Sequence, residues 1–346
     1  MSAPRPITIV GGGLAGLTLG IALRQRDVPV TVVEASHYPR HRVCGEFISG
    51  AGKRVLGELG LLGRMETAGL RFAESAAFFS QRFASPVRKL PDSALCISRF
   101  ELDALLAKEF QQLGGQLKEN CRWREPFSEG MVRATGRRLK PLESGWRWFG
   151  LKIHARDVRL QADLEMHFTE RGYVGICQLP ENTVNICGLF RSRQTQPELA
   201  REWKEWLCGS PGSALRERLA NAAFEESSFC SVAGLSLRAN RAGDQAECSI
   251  GDAISMIAPV TGNGMSMAFE SALIASESLA NFSRQTMDWD ETRQKIAADC
   301  DKTFKTRLAW SGWLQPVIMQ PAFSNCLIGM ASRSETIWNL LFQKTR

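Results

Sequence analysis

The chain is poor in the residues that build metal centres and disulfide frameworks. It has four histidines, His37, His41, His154 and His167. Only His37 and His41 stand at i, i+4, across Pro39, and so few histidines argue against a histidine-based metal site. Its ten cysteines are scattered and contain no C-x-x-C. They read as buried thiols in a reducing compartment, with neither disulfides nor structural zinc. No block of five like charges occurs, and 43 basic against 36 acidic residues leave only +7. That excess suits an anionic ligand or a passing contact with an acidic surface but is too diffuse for nucleic acid. The N-terminus lacks a charged segment followed by an apolar run, so no secretory signal is read and a cytoplasmic protein is expected. There are no internal repeats, low-complexity tracts or obvious linkers, so any domains should interleave. One further absence stands out: Leu308 to Ser332 carries no charge and is flanked by Arg307 and Arg333. Pro316, Pro321 and several polar residues make a buried pair of helices the expected reading there, ahead of a membrane span. Peripheral contact with lipid stays open.

What is present is globular in proportion. With 346 residues, 44% apolar and 23% charged, the chain can bury a large core as one long α/β unit or about two domains. Ile7–Val10 is a short β-branched run suited to a buried parallel strand. It enters Gly11-Gly12-Gly13-Leu14-Ala15-Gly16, after which Leu14, Leu17, Ile21 and Ala22 recur at helical spacing. Asp27 and Pro29 break that helix, and the stretch to Glu34 returns to strand composition, completing a βαβ unit. Short strands are expected within 71–97, a helix through Leu102, Leu106 and Phe110, and a strand at Leu117–Cys121. Alternation over 149–191 predicts an antiparallel sheet. A helix opening at Pro197 should bury Leu199, Trp203, Trp206 and Leu207. Strands at 229–239 and 246–250 are followed by a helix over Gly264–Leu279 and another from about Trp289 to Leu308.

Two motifs carry chemistry. In Gly11-x-Gly13-x-x-Gly16, Gly11 permits the tight turn and Gly13 lets backbone approach a pyrophosphate. Gly16 lets the helix pack on the strand. Leu14 and Ala15 lie between them at the helix start, whose N–H groups and dipole favour phosphate. Glu34 closes the second strand, where a carboxylate accepts hydrogen bonds from adenosine ribose hydroxyls. An ADP-containing cofactor follows, but this motif does not choose between FAD and NAD. The second motif is Gly251-Asp252 at a strand end, followed by Pro259-Val260-Thr261-Gly262-Asn263-Gly264-Met265 opening a helix. An aspartate there can bind a ribityl hydroxyl. A Gly-Asn-Gly turn can aim N–H groups at a flavin N1–C2=O. A plain strand, turn and capped helix would have the same composition.

Gly11–Glu34 together with Gly251-Asp252 and Pro259–Met265 resembles the p-hydroxybenzoate hydroxylase-like FAD-dependent oxidoreductase superfamily. This superfamily includes group A flavin monooxygenases, flavin-dependent halogenases and geranylgeranyl reductases. Pro39–Ser49, with Cys44-Gly45, resembles the loop that follows the Rossmann unit, in its geranylgeranyl reductase-like form. That likeness implies that Arg42 neutralises cofactor phosphate and that Cys44 and Gly45 lie against the isoalloxazine, with Cys44 and Glu46 as catalytic candidates. A solvated charge at Arg42 and a packing thiol at Cys44 are the alternatives. Ser98–Asp103 resembles the family's Arg-x-x-Leu-Asp helix start, which would bring Arg99 to the flavin; an i, i+4 pair with Asp103 would look alike. Gly172–Pro180 is similar to the sheet that roofs the substrate pocket, as would be any core strand pair. The sequence departs from the pattern in two places. Ala134-Thr135-Gly136-Arg137 has threonine where NADPH-dependent hydroxylases carry aspartate, and Trp146-Arg147-Trp148 lacks the proline of the halogenase signature.

The resemblance implies an α/β fold: a Rossmann-like FAD-binding domain (βαβ, three-layer sandwich) interleaved with an antiparallel substrate sheet and a C-terminal helical cap. The expected boundaries are 1–75, 95–138 and 244–285 for the FAD-binding part, 76–94 and 139–243 for the sheet, and 286–346 for the helical region. FAD would be the bound cofactor, with NAD(P)H a transient external donor. The expected activity is hydroxylation of an apolar aromatic or polyketide-type substrate by reduced flavin and oxygen. Reduction of an isoprenoid or other alkene is the alternative within the superfamily. A non-enzymatic dinucleotide-binding scaffold is the alternative outside it.

Overall fold

The computed structural model describes residues 3–320 except 81–82, 138–141, 144 and 194–198, and beyond them only Asn325, Gly329, Arg333 and Ser334. A four-stranded parallel sheet runs in the order Gln116–Lys118, Val30–Val33, Ile7–Val10, Met131–Arg133. Its two central strands are β-branched and mostly buried, as strands covered on both faces must be. The helix Leu14–Arg24 buries every residue but the last. It packs against Arg99–Gln112 on one side and Gly264–Ser283 on the other. The expected strand at 246–250 is reduced to a single parallel bridge between Ser249 and Arg133. Gly251 follows at once with φ 61° and turns the chain away before a ladder can form.

The second sheet has eight strands, in the order Ala223–Leu235, Arg147–Arg156, Val184–Ser192, Gly172–Gln178, Leu164–Phe168, Arg71–Phe79, Arg88–Cys96, Phe47–Ile48. It is mixed where sequence alternation predicts an antiparallel sheet, because Arg71–Phe79 and Leu164–Phe168 pair in parallel. The chain between those two strands passes through the dinucleotide domain and returns, and so long a crossover allows parallel pairing. The sheet also starts earlier than residue 76: it takes the whole of Arg71–Phe79, and Phe47–Ile48 as an edge. The two parts are therefore stitched together at the loop before Phe47.

The faces of this sheet differ. On the outer face Phe149, Leu151, Ile153, Val174, Ile186 and Phe190 meet Trp203, Trp206 and Leu207 of the helix Leu199–Leu207. The start of that helix, expected at Pro197, lies outside the described residues. The inner face, set by the period of two, presents Trp148, Lys152, His154, Asn185, Leu189, Tyr173, Cys177, Met166 and Phe168.

The last described helix, Trp289–Ile318, is longer than expected. The uncharged stretch after Arg307 continues it instead of beginning a new helix, and most of the remainder of the expected pair lies outside the described residues. Three polar ties hold the helix down. Asp301 accepts from the backbone N–H groups of Ala242 and Gly243. Arg307 makes a buried bidentate pair with Glu270 at 2.6 and 2.7 Å. Ser311 Oγ accepts from Ala258 N–H at 2.8 Å. Among the described residues no helix is long and apolar enough to cross a membrane. Cys121 is exposed, unlike the buried thiols expected from cysteine usage.

Candidate active site

The glycine-rich turn divides its work in three. A Cβ on Gly16 would stand 1.9 Å from the Gly11 carbonyl oxygen, and one on Gly11 would stand 2.3 Å from that of Ala134. Both glycines are demanded by the protein's own packing. Gly13 is different, since no heavy atom lies within 4 Å of its missing Cβ. The helix that starts at Leu14 has no side-chain cap, so its first N–H groups face open space, the arrangement that binds phosphate. Leu14 and Ala15 are buried behind the turn.

Glu34 is buried beside it. Its Oε2 accepts from Gly12 N–H at 2.7 Å, and Oε1 from Ser36 N–H at 2.9 Å and Arg40 Nη1 at 3.0 Å. Burial pushes the carboxyl pKa up, but Arg40 and the two N–H donors outweigh it and hold the group below the usual carboxylate range. The Tyr38 hydroxyl donates to the Gly12 carbonyl. Arg42, the expected phosphate partner, reaches Glu34 only at 4.0 Å with its side chain 41% exposed. Arg40 is the buried arginine, and its Nε and Nη2 have no partner. Two orphaned donors beside an open phosphate cradle fit the diphosphate and ribose of FAD.

At the other end Gly262 takes a left-handed φ of 67° and buried Asn263 occupies the N-cap of Gly264–Ser283. Met265 is buried in the first turn. A Cβ on Gly251 would lie 2.9 Å from that of Ala15. The second motif therefore sits directly on the first helix, and the two cofactor motifs meet in space. Asp252 is partly buried. Burial raises its pKa, against the pull of Arg137, whose Nε stands 3.9 Å away, and of Arg99. Arg137 also donates to the Val43 carbonyl at 3.4 Å. The segment noted only for its missing aspartate thus supplies an arginine to the ring end.

The loop Cys44–Glu46 lies where the two sheets join. Gly45 has open space where its Cβ would be. Burial pushes the Cys44 thiol pKa up, with Arg99 opposing, so it is protonated at neutral pH. Arg99 makes the i, i+4 pair with Asp103 at 2.7 and 2.8 Å and also lies beside Cys44. Glu46 is completely buried with φ 55°. Its Oε1 accepts from Arg99 N–H at 2.9 Å and lies 3.5 Å from Lys152 Nζ, while Oε2 lies 2.7 Å from His154 Nε2. Burial would raise this carboxyl, but the His154 hydrogen bond and the Lys152 charge hold it low. Lys152 also contacts His41 Nδ1 at 3.1 Å. His41 stacks on Phe100, and burial, reinforced by Lys152, pushes its pKa down to about 4. Asn185 Nδ2 donates to the Cys44 carbonyl at 3.0 Å. Cys177 Sγ donates to that of Gly45 at 3.2 Å.

Sequence reasoning missed Lys152, His154, Asn185, His41, Arg40 and Arg137. Lys152 and His154 alternate with Leu151, Ile153 and Ala155, the pattern of a strand with a solvated face. Nothing local marks that face as covered.

Beyond this polar end the inner face turns apolar. Phe168, Tyr173 and Leu189 pack with Met256 and with Leu314, Ile318 and Met319 of the long helix. Val260, just before Gly262, borders the same cluster.

The comparisons agree with this layout. A family model described as an NAD(P)-binding Rossmann-like domain matches residues 9–45, and one described as squalene epoxidase matches residues 182–310. The flavin-dependent brominase Bmp2 superposes with TM-score 0.74 at 16% identity, over 99% of this chain and 93% of that one. PqsL of Pseudomonas aeruginosa, solved in complex with 2-aminobenzoylacetate, does so with TM-score 0.71 at 16% identity, over 93% and 98%. The conditioned medium factor receptor 1 of Dictyostelium discoideum is 25% identical over 126 residues, 33% of this chain. The chain covers only 25% of that protein's length. These matches define a fold: the chain has the fold of flavin-dependent enzymes such as Bmp2 and PqsL, with a Rossmann-like dinucleotide-binding stretch at residues 9–45. Within that fold its stretch 182–310 is similar to squalene epoxidase.

Proposed function

We propose that the chain is a monooxygenase that inserts oxygen into an apolar small molecule, held between the inner face of the large sheet and the end of the long helix. The observation that carries this reading is the apolar cluster of Phe168, Tyr173, Leu189, Met256 and Ile318 bordering Val260, next to the turn that would hold the flavin ring. FAD, when bound, supplies electron transfer and oxygen chemistry that no side chain offers. The residues bind and orient it: Gly13 and the helix start at the diphosphate, Glu34 and Arg40 at the ribose, Asp252 and Arg137 along the chain, and Asn263–Met265 at the ring. The apolar wall excludes water from the reacting carbon. On the sheet side Cys44 and Glu46 complete the site. Glu46 fixes the loop through Lys152 and His154, and Cys44 presents a neutral thiol. The electron donor is external NAD(P)H, bound transiently.

The test is turnover of a lipophilic phenol and of a lipophilic alkene with NADPH, in labelled oxygen and under argon. Label from molecular oxygen in the product is expected. A saturated alkene formed under argon would make the chain a reductase of the geranylgeranyl type, which the Cys44-Gly45 loop resembles. A preparation that is colourless and takes up no added FAD would leave a binding scaffold. Cys44→Ser is expected to keep FAD and lower turnover; unchanged turnover would return Cys44 to packing.

A further inference from the structure

At the apolar end of the site Tyr173 and Gln315 form a buried polar pair whose wiring leaves a donor unused. Gln315 is 4% exposed on the long helix, between Leu314 and Ile318. Tyr173, on the inner face of the sheet, packs in the same apolar cluster. Its phenolic proton goes to Gln315 Oε1 at 3.3 Å. With the phenol proton on Oε1, the amide N–H groups of Gln315 point away from Tyr173. Gln315 Nε2 is left buried without a partner. A buried amide donor without an acceptor is costly, and native structures satisfy the great majority of them. The surrounding side chains, Leu189, Leu314, Ile318 and Met319, offer none.

We propose that Gln315 is the specificity-determining residue of the substrate pocket: its Nε2 donates to an oxygen acceptor, a carbonyl or phenolic oxygen, on an otherwise apolar substrate. The proposal rests on the placement of the substrate made above and names the one polar feature such a substrate carries. Tyr173 ties Gln315 to the inner face of the large sheet, and Val260, just before Gly262, borders the same apolar cluster. An anchored oxygen therefore fixes the substrate relative to the turn Gly262–Met265, beyond mere retention in a greasy cleft. A site built to hydrogen-bond a ligand oxygen rejects the analogue that lacks it, because the donor is then left unpaired.

The experiment compares two ligands of like shape, 2-acetonaphthone and 2-isopropylnaphthalene, titrated into the FAD-loaded protein and followed by the flavin absorbance. Wild type is expected to bind the ketone about tenfold more tightly, the scale of one retained hydrogen bond. Gln315→Met should erase that preference by weakening the ketone, while the hydrocarbon binds as well as before. FAD content equal to wild type reports an intact fold; should the methionine variant lose FAD, Gln315→Leu with the same pair of titrations replaces it. Equal affinities in wild type, or a ketone preference that survives substitution, would overturn the role of Gln315 and leave the apolar pocket standing. Binding of neither ligand to flavin-loaded wild type would overturn both the pocket and the proposal.

Discussion

Two buried glutamates, Glu34 and Glu46, sit at opposite ends of the site and are held in opposite ways. Glu34 is gripped by backbone N–H groups of Gly12 and Ser36 and by Arg40, all from one βαβ unit and the loop after it. Glu46 is gripped by Lys152 and His154, more than a hundred positions away, and by the first residue of the helix Arg99–Gln112. The first arrangement can form as soon as the N-terminal unit folds. The second exists only once the two sheets have docked. Glu34, the carboxylate proposed for the ribose, is thus held within one continuous stretch, and Glu46 is the clasp between frames.

The sharpest way to break that comparison is at the glycines. Gly16→Ala should abolish folding, since its methyl group would overlap the Gly11 backbone. Gly13→Val should leave thermal unfolding near that of wild-type apoprotein yet prevent FAD loading, because it fills space that only the cofactor uses. A Gly13 variant that stays yellow would displace the phosphate site. Next comes Glu46→Ala, which strands buried Lys152. A loss of about 3–5 kcal/mol in denaturant unfolding is expected, as for other broken buried pairs, and a loss under 1 kcal/mol would show that the clasp contributes little. Glu34→Ala should act mainly on ligand, weakening FAD by about 1.5–3 kcal/mol, the scale of a charge-assisted hydrogen bond, with unfolding of the apoprotein shifted less than by Glu46→Ala.

The smallest effect is in pH. His41 is held at about 4 against an unfolded value of 6.5. It contributes stability that is complete above 6.5 and lost as pH falls from there toward 4. Glu46, held below its unfolded value of 4.5, adds a second loss as pH falls through and below that point. Stability measured between pH 7 and pH 4 should therefore decline on acidification. Lys152→Met, which removes a charge opposing His41 protonation, should raise the folded-state His41 pKa, so that the His41 limb ends at higher pH and is smaller. A flat profile in wild type would mean that the polar junction is wetter than the geometry shows.

The dinucleotide end was legible because its chemistry is contiguous. Three glycines, a β-branched strand and a closing glutamate fall within one unit, and each has a steric or hydrogen-bonding reason that can be stated without the fold. The turn Gly262–Met265, with its left-handed glycine and the helix it opens, was legible for the same reason. Arg40 was hidden beside Arg42, since two arginines in one loop differ only in which one the packing buries. The polar junction was hidden because its members lie one per strand. Lys152 is read as solvent-facing until the loop carrying Glu46 is known to cover it, and parallel pairing of Arg71–Phe79 with Leu164–Phe168 follows from a crossover that no local pattern announces.

The helix Trp289–Ile318 is pinned to the rest of the chain at Asp301, Arg307 and Ser311, while its last turns are held by Tyr173 at Gln315 and by Arg191 at the Met319 carbonyl. Those turns carry Leu314, Gln315 and Ile318. The segment behaves as a splinted lever: its shaft is fixed to Gly264–Ser283 through the Arg307–Glu270 pair, and its tip rests on the inner face of the large sheet, where the proposed substrate would lie. Exchanging only that tip would retune selectivity without disturbing the anchorage of the shaft, so descendants of this chain could diversify there first while the rest of the architecture stayed put.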